Sequence, residues 1–162
     1  MQILNSDVIM SQHFFQALVN IAYEMNAEKM SVLSSSRTTI ETFLSEATAL
    51  GIRVPHVLEY RPHEADLPTK VESFLRKLPG KKPVVVLISE AGEAVAIAEH
   101  LKHVQLPSNP IWLVGSLGLD LRTLTGWRKV FHGGLFVEPH MPELTEFKNY
   151  FIGALQVFSV SF

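Results

Sequence analysis

Pro83-Val-Val-Val-Leu-Ile-Ser-Glu-Ala-Gly-Glu93, with Ile111-Trp-Leu-Val-Gly-Ser116 some twenty residues on, is the stretch whose reading decides the fold. Val84 to Ile88 is an unbroken run of strand formers, too short for a helix and without polar alternation. Strands buried on both faces of a helix-covered parallel sheet have that composition. Ser89 to Ala91 interrupts the run, and Ala91, Ala94, Val95, Ala98 and Leu101 then recur at helical spacing, which predicts a helix continuing to Gln105. Leu106-Pro-Ser-Asn-Pro110 stops it, and Ile111 to Val114 reads as a second buried strand. Strand, crossover helix and strand make a βαβ unit, right-handed in nearly all cases. Open sheets of this kind bind ligands outside the carboxyl ends of their strands. That places Ser89-Glu90-Ala91 and Gly115 to Arg122 on the functional edge.

Working outward, Ser6 or Asp7 can cap a long first helix whose apolar stripe is Phe14, Leu18, Ile21 or Ala22, and Met25. Met30 to Leu33 reads as a short strand, followed by the polar segment Ser34 to Arg37. Thr38 with Glu41 matches a capping box, ahead of a helical face of Ile40, Phe43, Leu44, Ala47 and Leu50 that Gly51 closes. Arg53 to Tyr60 is a more polar strand, as expected near a sheet edge. Asp66 caps a third helix with Leu67, Val71, Phe74, Leu75 and Leu78 on one side, stopped at Pro79-Gly80. Beyond the central unit, Leu119 to Trp127 reads as a short helix and Leu135 to Val137 as a last strand. Pro142 opens a helix whose Leu144, Phe147, Tyr150 or Phe151, and Leu155 face the sheet, and residues 156–162 form a tail or an added strand. The expectation is a single α/β domain over residues 1–162. It is a three-layer α/β/α sandwich around a mainly parallel five-stranded sheet, in the 2-1-3-4-5 order of flavodoxin-like folds.

Composition narrows the function. A chain of 162 residues with 47% hydrophobic content can bury a real core. The net charge is −2 and the 14 basic residues form no long run, so neither nucleic acid nor direct membrane contact is expected. No apolar run approaches the roughly 20 residues of a membrane helix, and Met1 to Asp7 does not read as a signal peptide. The chain has no cysteine, which by itself leans toward an intracellular protein. The loop after the first strand lacks the glycines of a dinucleotide site, no lysine follows a glycine-rich loop, and no Gly-x-Ser-x-Gly elbow occurs. His100 and His103 could supply half a zinc site, with nothing to complete it, and read better as helix surface. Trp112, inside an apolar strand, reads as core. These readings predict a protein that is not an enzyme and carries no cofactor or metal. The alternative is a cytosolic flavodoxin-like domain that holds FMN or a phosphorylated small molecule on the Ser34, Ser35 and Ser36 hydroxyls and the following helix amides.

The order of several segments resembles lobe 2 of the Venus-flytrap ligand-binding domain of class C G-protein-coupled receptors, such as the metabotropic glutamate and calcium-sensing receptors. Ser6-Asp7 is similar to the Pro-Ser-Asp that opens this lobe in the family. Val84-Val-Val-Leu-Ile-Ser-Glu90 resembles its third strand with a terminal acid, and Ile111-Trp-Leu-Val-Gly-Ser116 its Trp-(Ile/Leu)-x-(Gly/Ala)-Ser strand. Gly133-Gly-Leu-Phe-Val137 and Pro142-Glu-Leu-Thr-Glu-Phe-Lys-Asn-Tyr-Phe151 resemble its Gly-Gly strand and its Pro-x-Phe-x-x-(Tyr/Phe)-Phe helix.

The resemblance implies one lobe of a clamshell that closes on an amino-acid-like ligand, outside the cell, in a receptor working as a homodimer. Lobe 1 of the same receptor would supply the other wall. Asp7, Glu90 and Arg122 match cleft positions of the family, with Ser35, Ser36, Ala91 and Leu117 beside them. Leu117 stands where the family's Gly-Ser-Asp-Gly segment has an acid, no tyrosine follows the first strand, and the lobe's cysteines are missing. The implied amino-acid site is therefore a divergent one. For the dimer contact, the helix face from Leu101 to Val104 is a candidate.

Overall fold

A computed structural model describes residues 12–117 and 129–137. The chain runs α1 (Gln12–Glu24), β1 (Lys29–Ser34), α2 (Arg37–Ala49), β2 (Arg53–Glu59), α3 (Leu67–Arg76), β3 (Val84–Glu90), α4 (Ala91–Leu101), β4 (Ile111–Leu117) and β5 (Leu135–Val137). Every strand pairing is parallel and the sheet order is β2-β1-β3-β4-β5, as the sequence predicts. The helices expected over 119–127 and from Pro142 lie outside the described residues, as does any cap at Ser6 or Asp7.

The winding follows from the connections. The crossover from β1 leads to one edge, to β2, while that from β3 leads toward the other, to β4. Right-handed crossovers running in opposite directions cover opposite faces. Buried side chains divide that way. Phe14, Phe15, Leu18 and Val19 of α1 and Ile40, Phe43 and Ala47 of α2 pack on Met30, Val32, Val86, Ile88 and Leu113. Leu67, Val71 and Leu75 of α3 and Ala94, Ile97, Ala98 and Leu101 of α4 pack on Leu33, Val85, Leu87, Trp112 and Val114. Alternate residues of β3 thus enter different cores, which is why its sequence is apolar throughout.

Local chemistry shapes the details. Pro55 lies in the edge strand β2, where a missing N–H is tolerated. The β1–β2 register slips by one residue there, from Lys29–Arg53 to Ser31–His56. Gly115 keeps β4 bare beneath α1, since a Cβ at that position would sit 2.7 Å from Phe14 Cζ. Gly51, at φ 73°, takes the left-handed conformation after the cap residue Leu50.

Four expectations are corrected. The Thr38–Glu41 capping box is not formed, because α2 begins at Arg37 with the extended Ser36 as N-cap, its hydroxyl accepting from Thr39 N–H at 3.2 Å. Glu41 instead pairs with Arg37 at 3.1 Å. Leu50 ends α2 and is 39% exposed, so it does not extend the buried face. Helix α4 stops at Leu101, short of Gln105. His103 N–H bonds the His100 carbonyl and Val104 N–H the Leu101 carbonyl, tight turns that close the helix. Consequently Leu101 is buried and Val104 half-buried, and residues 101–104 offer no exposed apolar helix face for a dimer.

His100 is a helix-surface residue, but with a partner: its Nε2 lies 2.7 Å from Glu72 Oε2, joining α4 to α3, while Arg76 Nη2 approaches the other Glu72 oxygen at 2.8 Å. The bond to His100 is the main cause holding the Glu72 carboxyl below its ordinary value, with Arg76 second. A carboxylate depressed in the folded state stabilises above its unfolded pKa and loses that contribution as pH falls through the lower, folded value. Stability should therefore drop on acidification below about pH 5, and Glu72→Gln should make that drop shallower. Urea unfolding across the acid range checks this; identical slopes for the two proteins would refute it.

Candidate functional site at the carboxyl edge

The winding reverses between β1 and β3, which opens a crevice at their carboxyl ends. Ser34 and Ile88 are register partners at this edge, so the chain leaving β1 (Ser35, Ser36) and the chain leaving β3 (Glu90, Ala91) emerge side by side. Glu90 is in turn the register partner of Leu117, the last residue of β4. Five of the expected site positions, Ser35, Ser36, Glu90, Ala91 and Leu117, therefore meet on one edge. Asp7 and Arg122 lie outside the described residues.

The serines after β1 are turn and cap groups: Ser34 Oγ accepts from Ser36 N–H at 3.3 Å, and Ser36 Oγ from Thr39 N–H. The amides a phosphate would need at the start of α2 are thus partly engaged by the chain itself. Glu90 is the N-cap residue of α4, with extended φ −71° and ψ 155°, and its side chain is exposed. No basic side chain among the described residues pairs with it. A carboxylate there is favoured by the helix dipole.

Two residues that the sequence reading passed over complete the edge. Tyr60, following β2, and Glu93, in the first turn of α4, are 4% and 5% exposed. The Tyr60 hydroxyl donates to Glu93 Oε2 at 3.0 Å, and Glu90 N–H donates to the same oxygen at 3.3 Å. Tyr60 N–H also bonds the Ser34 carbonyl at 3.2 Å. Burial, then the Glu93 charge and hydrogen bond, push the Tyr60 phenol far above its ordinary range, with Ser35 opposing and Glu90 adding slightly. Tyr60 is therefore a neutral donor at every physiological pH. Its bond ties the ends of β1, β2 and α4 together, setting the backbone from which Glu90 projects.

Ser89 and Ser116 are register partners near the same edge, both buried, and neither hydroxyl has a hydrogen-bond partner among the described residues. Among the described residues no three His, Cys, Asp or Glu side chains come together as metal ligands, and no helix is long and apolar enough to cross a membrane.

The fold and this edge define a doubly wound parallel α/β domain with an acceptor-rich polar group at its switch point. No protein-family model matches the chain, and no curated protein matches it in sequence.

Proposed function

We propose that the chain is a ligand-sensing lobe, one wall of a hinged cleft of the kind found in class C receptor ectodomains, and that it carries no catalytic function. The observation that carries this reading is the convergence of Ser35, Ser36, Glu90, Ala91 and Leu117 at the β1–β3–β4 carboxyl edge, with Glu90 exposed and held by the Tyr60–Glu93 bond. An exposed carboxylate with serine hydroxyls opposite suits a ligand that presents N–H donors, such as an amino acid's ammonium. The resemblance adds the extracellular setting, the second lobe and the homodimer. Closure would follow from a ligand that binds the closed state better than the open one.

The phosphate or FMN alternative shares the strand order but gains less from the edge, where two carboxylates stand close to the serines. A single wall binds weakly, since small-molecule pockets depend on enclosure. Titration of the labelled chain with a mixture of amino acids, followed by NMR, should shift the amides of Ser35, Ser36, Glu90 and Ala91 in the millimolar range. Glu90→Gln should weaken binding by about tenfold, the loss of one charge-assisted contact. Shifts with FMN but not amino acids would favour the alternative, and shifts confined to other surfaces would refute both.

A further inference from the structure

The opposite, amino-terminal edge of the sheet has a character of its own. A cavity of about 710 Å³ opens there between the end of α4, the Ser108-Asn-Pro-Ile111 approach to β4, and the turn at 129–133 before β5. That volume lies within the usual range for small-molecule sites. Its described lining includes Lys82, Lys102, Lys129 and His132, and no aspartate or glutamate. Lys102 is paired with Glu99. Lys82 and Lys129 make no ion pair among the described residues. Ser108, another lining residue, is 6% exposed, and its hydroxyl has no hydrogen-bond partner among the described residues. A buried donor left in that state costs free energy that a bound acceptor would return.

From this we infer a second binding site, for a small anion bearing phosphate or sulfate groups, at the edge remote from the switch point. Lys82 and Lys129, unpaired among the described residues, supply the positive charge, and Asn109 lies exposed beside them. Ser108 reaches the ligand by turning its hydroxyl toward the cavity. One influence opposes an anion, the negative end of the α4 dipole. It is blunted here, because the Ala98, His100 and Leu101 carbonyls already accept from Lys102, His103 and Val104 N–H. Two lysine charges outweigh the remaining fraction of a charge. Nothing in this proposal depends on the carboxyl edge binding a ligand.

Calorimetric titration of the full chain with inorganic pyrophosphate, and separately with sodium sulfate, tests it. The expected result is one saturable site for at least one of the two anions, weakening as sodium chloride is raised. Lys82→Gln/Lys129→Gln should weaken it about tenfold or more through loss of two charge-assisted contacts. Arg37→Gln, on the other helical layer, should leave it unchanged. Ser108→Ala should weaken it several-fold with the circular dichroism spectrum intact. Absence of saturable binding of both anions, or equal affinity in the double variant and the wild type, would overturn the assignment.

Discussion

Tyr60→Phe is expected to lower the unfolding free energy by about 2–3 kcal/mol, more than the loss of an average hydrogen bond. The reason is the partner left behind. Glu93 is 5% exposed, and its Oε2 accepts from the Tyr60 hydroxyl at 3.0 Å. With phenylalanine at 60 the ring still fills its place beside Leu33, Leu67 and Val71, so little apolar packing is lost. The buried carboxylate, however, keeps only the longer bond from Glu90 N–H, at 3.3 Å. Glu93→Gln should cost less, because an amide oxygen can still accept from the phenol. Tyr60→Phe/Glu93→Leu should recover most of the loss, since removing both partners leaves no buried polar group unsatisfied. Urea unfolding at neutral pH measures all three. A Tyr60→Phe cost within about 0.5 kcal/mol of zero would show that water satisfies Glu93 and that the bond does not hold the edge.

This pair also marks where the sequence stops being legible. The central strands were open to reading because Val84 to Ile88 and Ile111 to Val114 are apolar on both faces, and two-faced burial points to a helix-covered parallel sheet. The 2-1-3-4-5 order is the simplest doubly wound arrangement of five strands alternating with helices, and the sheet adopts it. The site was only half legible. Ser35, Ser36, Glu90 and Ala91 lie just past strand ends, so topology alone finds them. Glu93 was hidden by its type: a carboxylate in a first helical turn reads as solvated. Yet it stands four residues before Ile97 and eight before Leu101, both buried, so it continues the buried stripe of α4. An acid on an apolar stripe was the signal, and Ile97 was the residue that would have revealed it. Tyr60 has a similar signal, since exposure alternates along β2 and Tyr60 continues the inward phase. The start of α2 and the end of α4 were misread for another reason. Several residues there can cap, and which one does depends on backbone conformation at Ser36 and on the tight turns after Leu101.

Trp112→Ala should destabilise the chain by about 3–5 kcal/mol, the range for removing a large buried aromatic. Trp112 is 1% exposed and meets Phe131 edge-on at a centroid distance of 5.2 Å. Phe131 meets Phe136 the same way at 5.6 Å, so one side chain secures the turn before β5 as well as β4. Trp112→Phe should retain much of the contact and cost clearly less. Unfolding followed by far-UV circular dichroism, which does not depend on the tryptophan, measures both. A loss below about 1 kcal/mol would mean that the aromatic group is not the packing unit the geometry describes. At Gly134, in the Gly-Gly motif, a Cβ would be tight, lying 3.0 Å from both the Trp112 and Phe131 carbonyl oxygens. Gly115, in the Trp-Leu-Val-Gly-Ser strand, is closed off by Phe14. Packing around Trp112 and under α1 thus bears on Gly134 and Gly115 without any ligand. The proposed ligand sensing therefore rests on the carboxyl edge, where Glu90 caps α4 and leaves its carboxylate exposed.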